Sequence, residues 1–314
     1  MSAFGFARRH GKLSVDGVQL VDQKGEAVQL VGMSSHGLHW FPDCYTKESV
    51  STLVEHGCNV FRAAMYIGEG GWEDLRNTAR DPKVLLEKIV QWTEELGIYV
   101  IVDWHVLTPG DPNYYLEHNR LAIEFWKQVA NKYKDKEHVL YELANEPNQV
   151  SWGRVKSYHD AMIRVIREID TSTILILGTC TWSQDIHIAC QDPVPHTSNI
   201  MYAFHFYAAS HAGLYGRLTE YINKLPIFVS EWGTTDSTGF GDPDLDVSKR
   251  FLDLLGGRTD LSKTLVSWTQ WSYCDQEPAG NAALFPGSSK NQQWDNFTPP
   301  ARWTMEYIRT IKHT

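Results

Sequence analysis

The amino-acid sequence predicts one (β/α)8 barrel, a TIM-type α/β fold, with a small N-terminal β-hairpin. Three observations lead there. Eight short apolar, β-branched runs alternate with eight amphipathic stretches of helical length across 314 residues. Two of the runs contain YVIV and ILIL, unbroken apolar segments of the kind found where a parallel strand is buried on both faces. No glycine-rich phosphate loop follows the first run, which favours the barrel over an open doubly wound sheet.

The elements follow in order. Residues 13–30 carry Asp16-Gly17 and Lys24-Gly25 turn signals between alternating residues, a hairpin placed to plug the N-terminal face of the barrel. The strand runs are 29–33, 59–64, 99–105, 139–146, 174–179, 200–207, 227–233 and 265–272, each ending in polar residues. Helices are expected at 47–56, 81–96, 118–133, 153–169, 184–189, 214–223, 246–255 and 300–311. There is no low-complexity tract, Ser/Pro-rich linker or repeat of 20 to 50 residues, so residues 1–314 are expected to form a single domain.

Composition narrows the function. Twenty-nine basic against 38 acidic side chains leave a net charge of −9, a sign that repels phosphate backbones and anionic membrane surfaces, so neither nucleic acid nor a membrane is an expected partner. No run of 18 or more apolar residues occurs, and no apolar leader stands near the N-terminus. Five cysteines without a CxxC pair argue against a zinc ribbon or a disulfide scaffold. Cys180 and Cys190, ten positions apart, are read as free buried thiols in preference to a bridge.

In such a barrel, chemistry sits at the C-terminal ends of the strands. Those ends supply Arg62, Asp103-Trp104-His105, Asn145-Glu146, His205 with Tyr207, Glu231, and Trp271. Glu146 in VLYELANEPN and Glu231 in IFVSEWGTT lie on strands three apart around an eight-membered ring, and so can face each other across the mouth. Paired carboxylates suit glycosidic bond cleavage, one protonating the leaving oxygen while the other attacks the sugar carbon or activates water. Arg62 and the Tyr207 phenol are placed to keep one carboxylate ionised; burial beside Trp271 and the charge of that partner would raise the other. Trp40, Tyr66, Trp182 and Trp271 offer flat apolar faces for the CH faces of a sugar, whereas Trp92, Trp126, Trp268 and Trp303 are read as packing. Two rivals stay open: a metal-dependent barrel hydrolase using His36 and His39, and a carbohydrate-binding barrel without activity.

Taken together, VGMSSHGLHW, VFRAAMY, YVIVDWH, the two glutamate segments, GTCTWSQD, MYAFHFYA and WTQWS resemble the bacterial-type endo-β-1,4-glucanases of glycoside hydrolase family 5 over nearly the whole chain. The resemblance implies Glu146 as acid/base and Glu231 as nucleophile in a retaining mechanism, with Arg62, His105, Asn145, His205 and Tyr207 around them. It further implies that Asn145 bonds the 2-hydroxyl of the cleaved sugar and Trp271 stacks on it, that His36, Trp40 and Tyr66 bind on the non-reducing side, and that Trp182 binds on the leaving-group side. Where related enzymes carry a lysine after the eighth strand, this sequence offers Gln276. The expected substrate is a β-1,4-glucan, handled by a secreted monomeric catalytic module without cofactor or metal and without a carbohydrate-binding module or linker in this chain.

Overall fold

A computed structural model describes residues 3–114, 116–196 and 198–311. A two-stranded antiparallel sheet, β1 (Ser14–Asp16) and β2 (Gln19–Val21), precedes a closed barrel of eight parallel strands. These are β3 (Val31–Ser35), β4 (Val60–Tyr66), β5 (Tyr99–His105), β6 (Val139–Glu142), β7 (Leu175–Leu177), β8 (Ile200–Tyr207), β9 (Ile227–Gly233) and β10 (Trp268–Tyr273), with β10 pairing back onto β3. The eight helices between and after them are Lys47–Glu55, Pro82–Leu96, Leu116–Tyr133, Trp152–Arg167, Ile186–Gln191, Leu214–Tyr221, Leu245–Leu255 and Pro299–Arg309.

Local chemistry sets several of these boundaries. Thr46 and Ser49 form a reciprocal capping box at the first helix, and Asp81 caps the second ahead of Pro82. That second helix stops at Gly97, whose φ of 73° suits glycine. The run expected at 139–146 remains a strand only to Glu142, and the run at 174–179 shortens to Leu175–Leu177 because a turn begins beyond it. The segments Phe6–His10, Pro42–Cys44, Trp72–Leu75 and Cys180–Ser183 were not anticipated; each is too short to show a helical period. All five cysteines are free thiols, so Cys180 and Cys190 form no bridge. No helix among the described residues is long and apolar enough to cross a membrane.

Alternation along the strands separates two cores. Phe61, Ala63, Met65, Val100, Val102 and Trp104 point outward and join the large cluster beneath the helices, where Trp126 and Trp268 are fully buried and Trp92 and Trp303 pack at its edge. Residues one position out of phase point into the lumen. There Val60, Tyr99, Ile101, Leu140, Met201 and Phe228 form a second cluster, closed from below by Phe6, Leu13, Leu20 and Val28. The N-terminal segment is therefore the predicted plug, anchored by Tyr99 donating its hydroxyl to the Gly11 carbonyl at 2.5 Å.

Strand β9 breaks the alternation. Ala203 pairs with Phe228 and His205 with Glu231, while on the other edge Trp268 pairs with Val229 and Gln270 with Trp232. Three residues of β9 thus span what two residues span on each neighbour, a bulge at Ser230–Glu231. Its effect is that Ser230 and Glu231, adjacent in sequence, both turn their side chains into the lumen.

Candidate active site

Above the apolar lumen layer the same inward phase presents Arg62, Asp103, His105, Glu142, His205 and Tyr207, with Asn145 and Glu146 just beyond β6. Arg62 is fully buried and organises them. Its Nε donates to Glu142 Oε2 at 2.7 Å, Nη1 to Glu231 Oε2 at 3.0 Å, and Nη2 to Asn145 Oδ1 at 2.6 Å, with Asp103 Oδ2 3.0 Å from Nη2. Burial works against the charge, but these carboxylates outweigh it and hold the guanidinium protonated.

Asn145 is fixed on two sides. Its amide oxygen accepts from Arg62, and its Nδ2 lies 3.1 Å from His105 Nε2. His105 Nδ1 is 2.6 Å from Asp103 Oδ2, so the proton sits on Nδ1 and Nε2 accepts from the amide. Burial and the charge of Arg62 keep His105 neutral, consistent with that tautomer. A second N–H of Asn145 is left for a ligand.

The two glutamates differ as their surroundings require. Glu231 takes Arg62 on Oε2 and the Tyr207 hydroxyl on Oε1 at 2.6 Å; burial would raise its pKa, but His205, Arg62 and the Tyr207 hydrogen bond hold it below the usual value. Glu146 is pushed up to about 7, first by burial and then by the charge of Glu231. His205 Nδ1 contacts Glu146 Oε1 at 2.8 Å. A carboxylate oxygen of each glutamate and a nitrogen of His205 all lie within 4.8 Å of one another.

This trio has the spacing of a metal site, and its members are already engaged in hydrogen bonds. Both Glu231 oxygens and both His205 nitrogens already have hydrogen-bond partners. His36 and His39 fall in no cluster of three such donors among the described residues. His39 Nε2 instead meets the Glu69 carbonyl at 3.2 Å.

Around the carboxylates opens a cleft of about 530 Å³, lined among others by His36, Tyr66, Trp182, Trp271, Glu146 and Glu231. His36, Tyr66, His105 and Trp271 form an aromatic wall: Tyr66 stacks on His105 at 4.1 Å, His105 on Trp271 at 5.4 Å, and His36 sits 4.7 Å from Trp271. His36 Nδ1 accepts the Gly37 N–H, so its proton is on Nε2; burial and the neighbouring histidines depress its pKa to about 3. Trp40, 43% exposed, extends the wall by packing 4.7 Å from Tyr66.

Trp182 stands apart, 46% exposed on a turn in which Thr181, Trp182 and Ser183 all have positive φ. Each such residue costs roughly 1–2 kcal/mol. The turn is held by Ser183, which accepts from the Thr179 N–H and donates to the Asn145 carbonyl, and by Trp182 N–H donating to the Pro147 carbonyl.

The chain matches the cellulase model of glycosyl hydrolase family 5 over residues 21–277. It belongs to that family. It is 41% identical over 289 residues to an endoglucanase of Clostridium saccharobutylicum, covering 90% of this chain and 61% of the relative, and 41% identical over 290 residues to endoglucanase E-5 of Thermobifida fusca, covering 89% and 59%. The chain thus spans about three fifths of the length of these relatives. Among solved structures, a cellulase named Cel5C_n superposes with a TM-score of 0.91 at 41% identity, covering 98% of this chain and 95% of that one. The catalytic domain of Thermobifida fusca endoglucanase Cel5A in complex with cellotetraose gives 0.89 at 36% identity, covering 98% and 100%.

Of the residues singled out in this family 5 sequence, all but two line or brace the cleft. Trp40 lies beside it, in contact with the aromatic wall. Gln276, half-buried in the loop after β10, is not among the cleft-lining residues. Two buried residues were missed, Glu142 and Ser230. Both were legible, Glu142 because it follows Leu140 and Ser230 because it follows Phe228 in the lumen phase of an apolar strand; the residue that only the bulge turns inward is Glu231.

Proposed function

We propose that this protein is a retaining, endo-acting β-1,4-glucanase. The observation that supports this best is the carboxylate pair: two oxygens within 4.8 Å, one group held ionised and the other pushed up to about 7. Retaining glycosidases hold their carboxyl groups about 5–5.5 Å apart, whereas inverting ones need roughly 6.5–9.5 Å to admit water.

In this reading Glu146 gives its proton to the glycosidic oxygen while Glu231 attacks the anomeric carbon; the C–O bond to the leaving sugar breaks as the bond to Glu231 forms. Tyr207 then loses its acceptor on Glu231, and the free N–H of Asn145 meets the 2-hydroxyl of the bound sugar. Glu146, now a carboxylate, takes a proton from water as that water displaces Glu231 from the sugar. His36, Tyr66 and Trp271 form the floor on the non-reducing side, with Trp182 across the cleft under the leaving group. A polymeric substrate implies action outside the cell.

The test is a soluble β-1,4-glucan followed by NMR and viscometry, beside mixed-linkage β-glucan, xylan and mannan. The β-anomer is expected first and viscosity is expected to fall early. First release of the α-anomer rejects retention, mainly disaccharide at undiminished viscosity rejects endo-action, and faster cleavage of mannan or xylan moves the substrate class.

Trp40 serves binding in this scheme, since it lies beside the wall and away from the glutamates. Trp40→Ala is expected to raise KM on oligosaccharides with a smaller change in kcat, the pattern of lost uniform binding. A fall confined to kcat would remove it from that role.

A further inference from the structure

We propose that Ser230 and Glu142 are positioning residues that hold His205 as an imidazolium against Glu146, through a buried chain of hydrogen bonds running away from the cleft. The proposal rests on Glu146 as the acid/base. Its Ser230–Glu142 end lies outside the cleft lining. Ser230 Oγ lies 2.5 Å from Glu142 Oε1 and 2.9 Å from His205 Nε2, and all three side chains are essentially without solvent contact. Glu142 and His205 are 3.8 Å apart, beyond hydrogen-bond range, so the serine hydroxyl is the link between them.

The proton positions follow from valence. Glu142 accepts the Arg62 Nε–H on its other oxygen and is ionised: burial opposes this, but Arg62 and His205 outweigh it and bring its pKa down to about 2. An ionised carboxylate has no proton to give, so the Ser230 hydroxyl donates to Glu142 and offers a lone pair to His205 Nε2. That nitrogen must carry a proton. The other nitrogen faces Glu146 Oε1 at 2.8 Å and can bond to an ionised Glu146 only as an N–H donor, so it holds its own proton throughout the step. Both nitrogens are then donors and the ring is charged. Burial disfavours that charge, yet the Glu142 carboxylate behind the serine, the hydrogen bond to Glu146 and the charge of Glu231 lift His205 to about 9.

The remaining groups facing this pair are Arg62 from β4, Asp103 and His105 from β5, Tyr207 from β8 and Glu231 from β9, with the Tyr66 phenol above. None of their recorded hydrogen bonds reaches His205 Nε2; Ser230 does. The chain's purpose is then the state after proton donation. A Glu146 carboxylate beside a fixed imidazolium is stabilised, so Glu146 is a stronger acid in the first step. Without the charge it would hold its proton more tightly.

The experiment is Ser230→Ala, read by kcat/KM against pH on a soluble β-1,4-glucan and by NMR titration of the His205 ring nitrogens. In the parent the rate is expected to fall as pH rises through about 7, and His205 to titrate near 9. In S230A the His205 titration is expected about two units or more lower, far enough to leave the ring largely neutral at the basic limb, which then moves roughly half a unit or more higher. Ser230→Thr, which keeps the hydroxyl, is expected to retain the parental positions. If S230A does not fold, Glu142→Gln must likewise lower the His205 titration, because the imidazolium loses the carboxylate behind it. An unmoved His205 titration in S230A or E142Q, or reduced activity with the basic limb in place, overturns the proposal. Failure of the underlying reading is separate: Glu146→Ala would then cleave cellulose at the parental rate.

Discussion

Glu231→Ala is expected to abolish turnover on every substrate, whatever its leaving group, while Glu146→Ala keeps the first half of the reaction on activated ones. Glu231 supplies the atom that bonds to the sugar, and no other carboxylate faces the cleft at that spacing among the described residues. Glu146 supplies only a proton. An aryl leaving group of low pKa needs little protonation, so glycosyl-enzyme should form and accumulate in the Glu146 variant for want of a base in the second step. On cellulose the same variant should lose roughly 10²–10⁴-fold in rate or more, the usual contribution of general acid catalysis. The check is a pre-steady-state burst of aryl release, with mass spectrometry of the protein. A burst from Glu231→Ala and none from Glu146→Ala would reverse the two roles.

The second large effect concerns Arg62. Arg62→Met preserves much of the volume and removes every polar contact, leaving Asp103, Glu142 and Glu231 buried around a vanished charge. Breaking a buried ion pair from one side costs about 3–5 kcal/mol, and here several partners are stranded together. Glu231 should also gain proton affinity, since Arg62 is one of the charges that keeps it ionised, and the acid limb of the rate profile should rise toward neutral pH. Arg62→Lys keeps the charge but cannot make the separate contacts of Nε, Nη1 and Nη2, so an intermediate loss is expected. Urea unfolding and pH–rate profiles measure both effects. Parental stability together with an unmoved acid limb in the methionine variant would show that this network does not do what its geometry suggests.

Much of this was legible before any coordinates. Strand runs 99–105, 200–207 and 227–233 coincide with β5, β8 and β9, because apolar residues in both phases mark a strand covered on two faces. Arg62, His105, His205 and Tyr207 were found because they stand toward the C-terminal ends of their runs, where a barrel carries its chemistry. Other features left no trace in composition. The turn that lifts Trp182 uses Thr, Trp and Ser in a conformation usually signalled by Gly or Asn, and it is enforced by Ser183 and Pro147 from outside the turn's own preferences. Glu142 was passed over because it stands four residues short of the end of the run at 139–146 and only strand ends were searched; it is the partner of Arg62 and, through Ser230, of His205.

The bulge in β9 also divides the labour within one strand. Below it Phe228 belongs to a layer that only has to fill space, in company with Ile101, Leu140, Ile176 and Met201. At it Ser230 and Glu231 belong to a layer in which hydrogen-bond direction is everything. Because the extra residue enters where the second layer begins, the packing layer and the reacting layer are keyed to their neighbours by different registers. Apart from the Tyr99 anchor, sequence drift in the lower layer is constrained by volume, and along β9 a change of size there reaches the reacting carboxylate across a discontinuity in the ladder. The strand can accordingly be retuned for robustness and for reactivity as two separate problems.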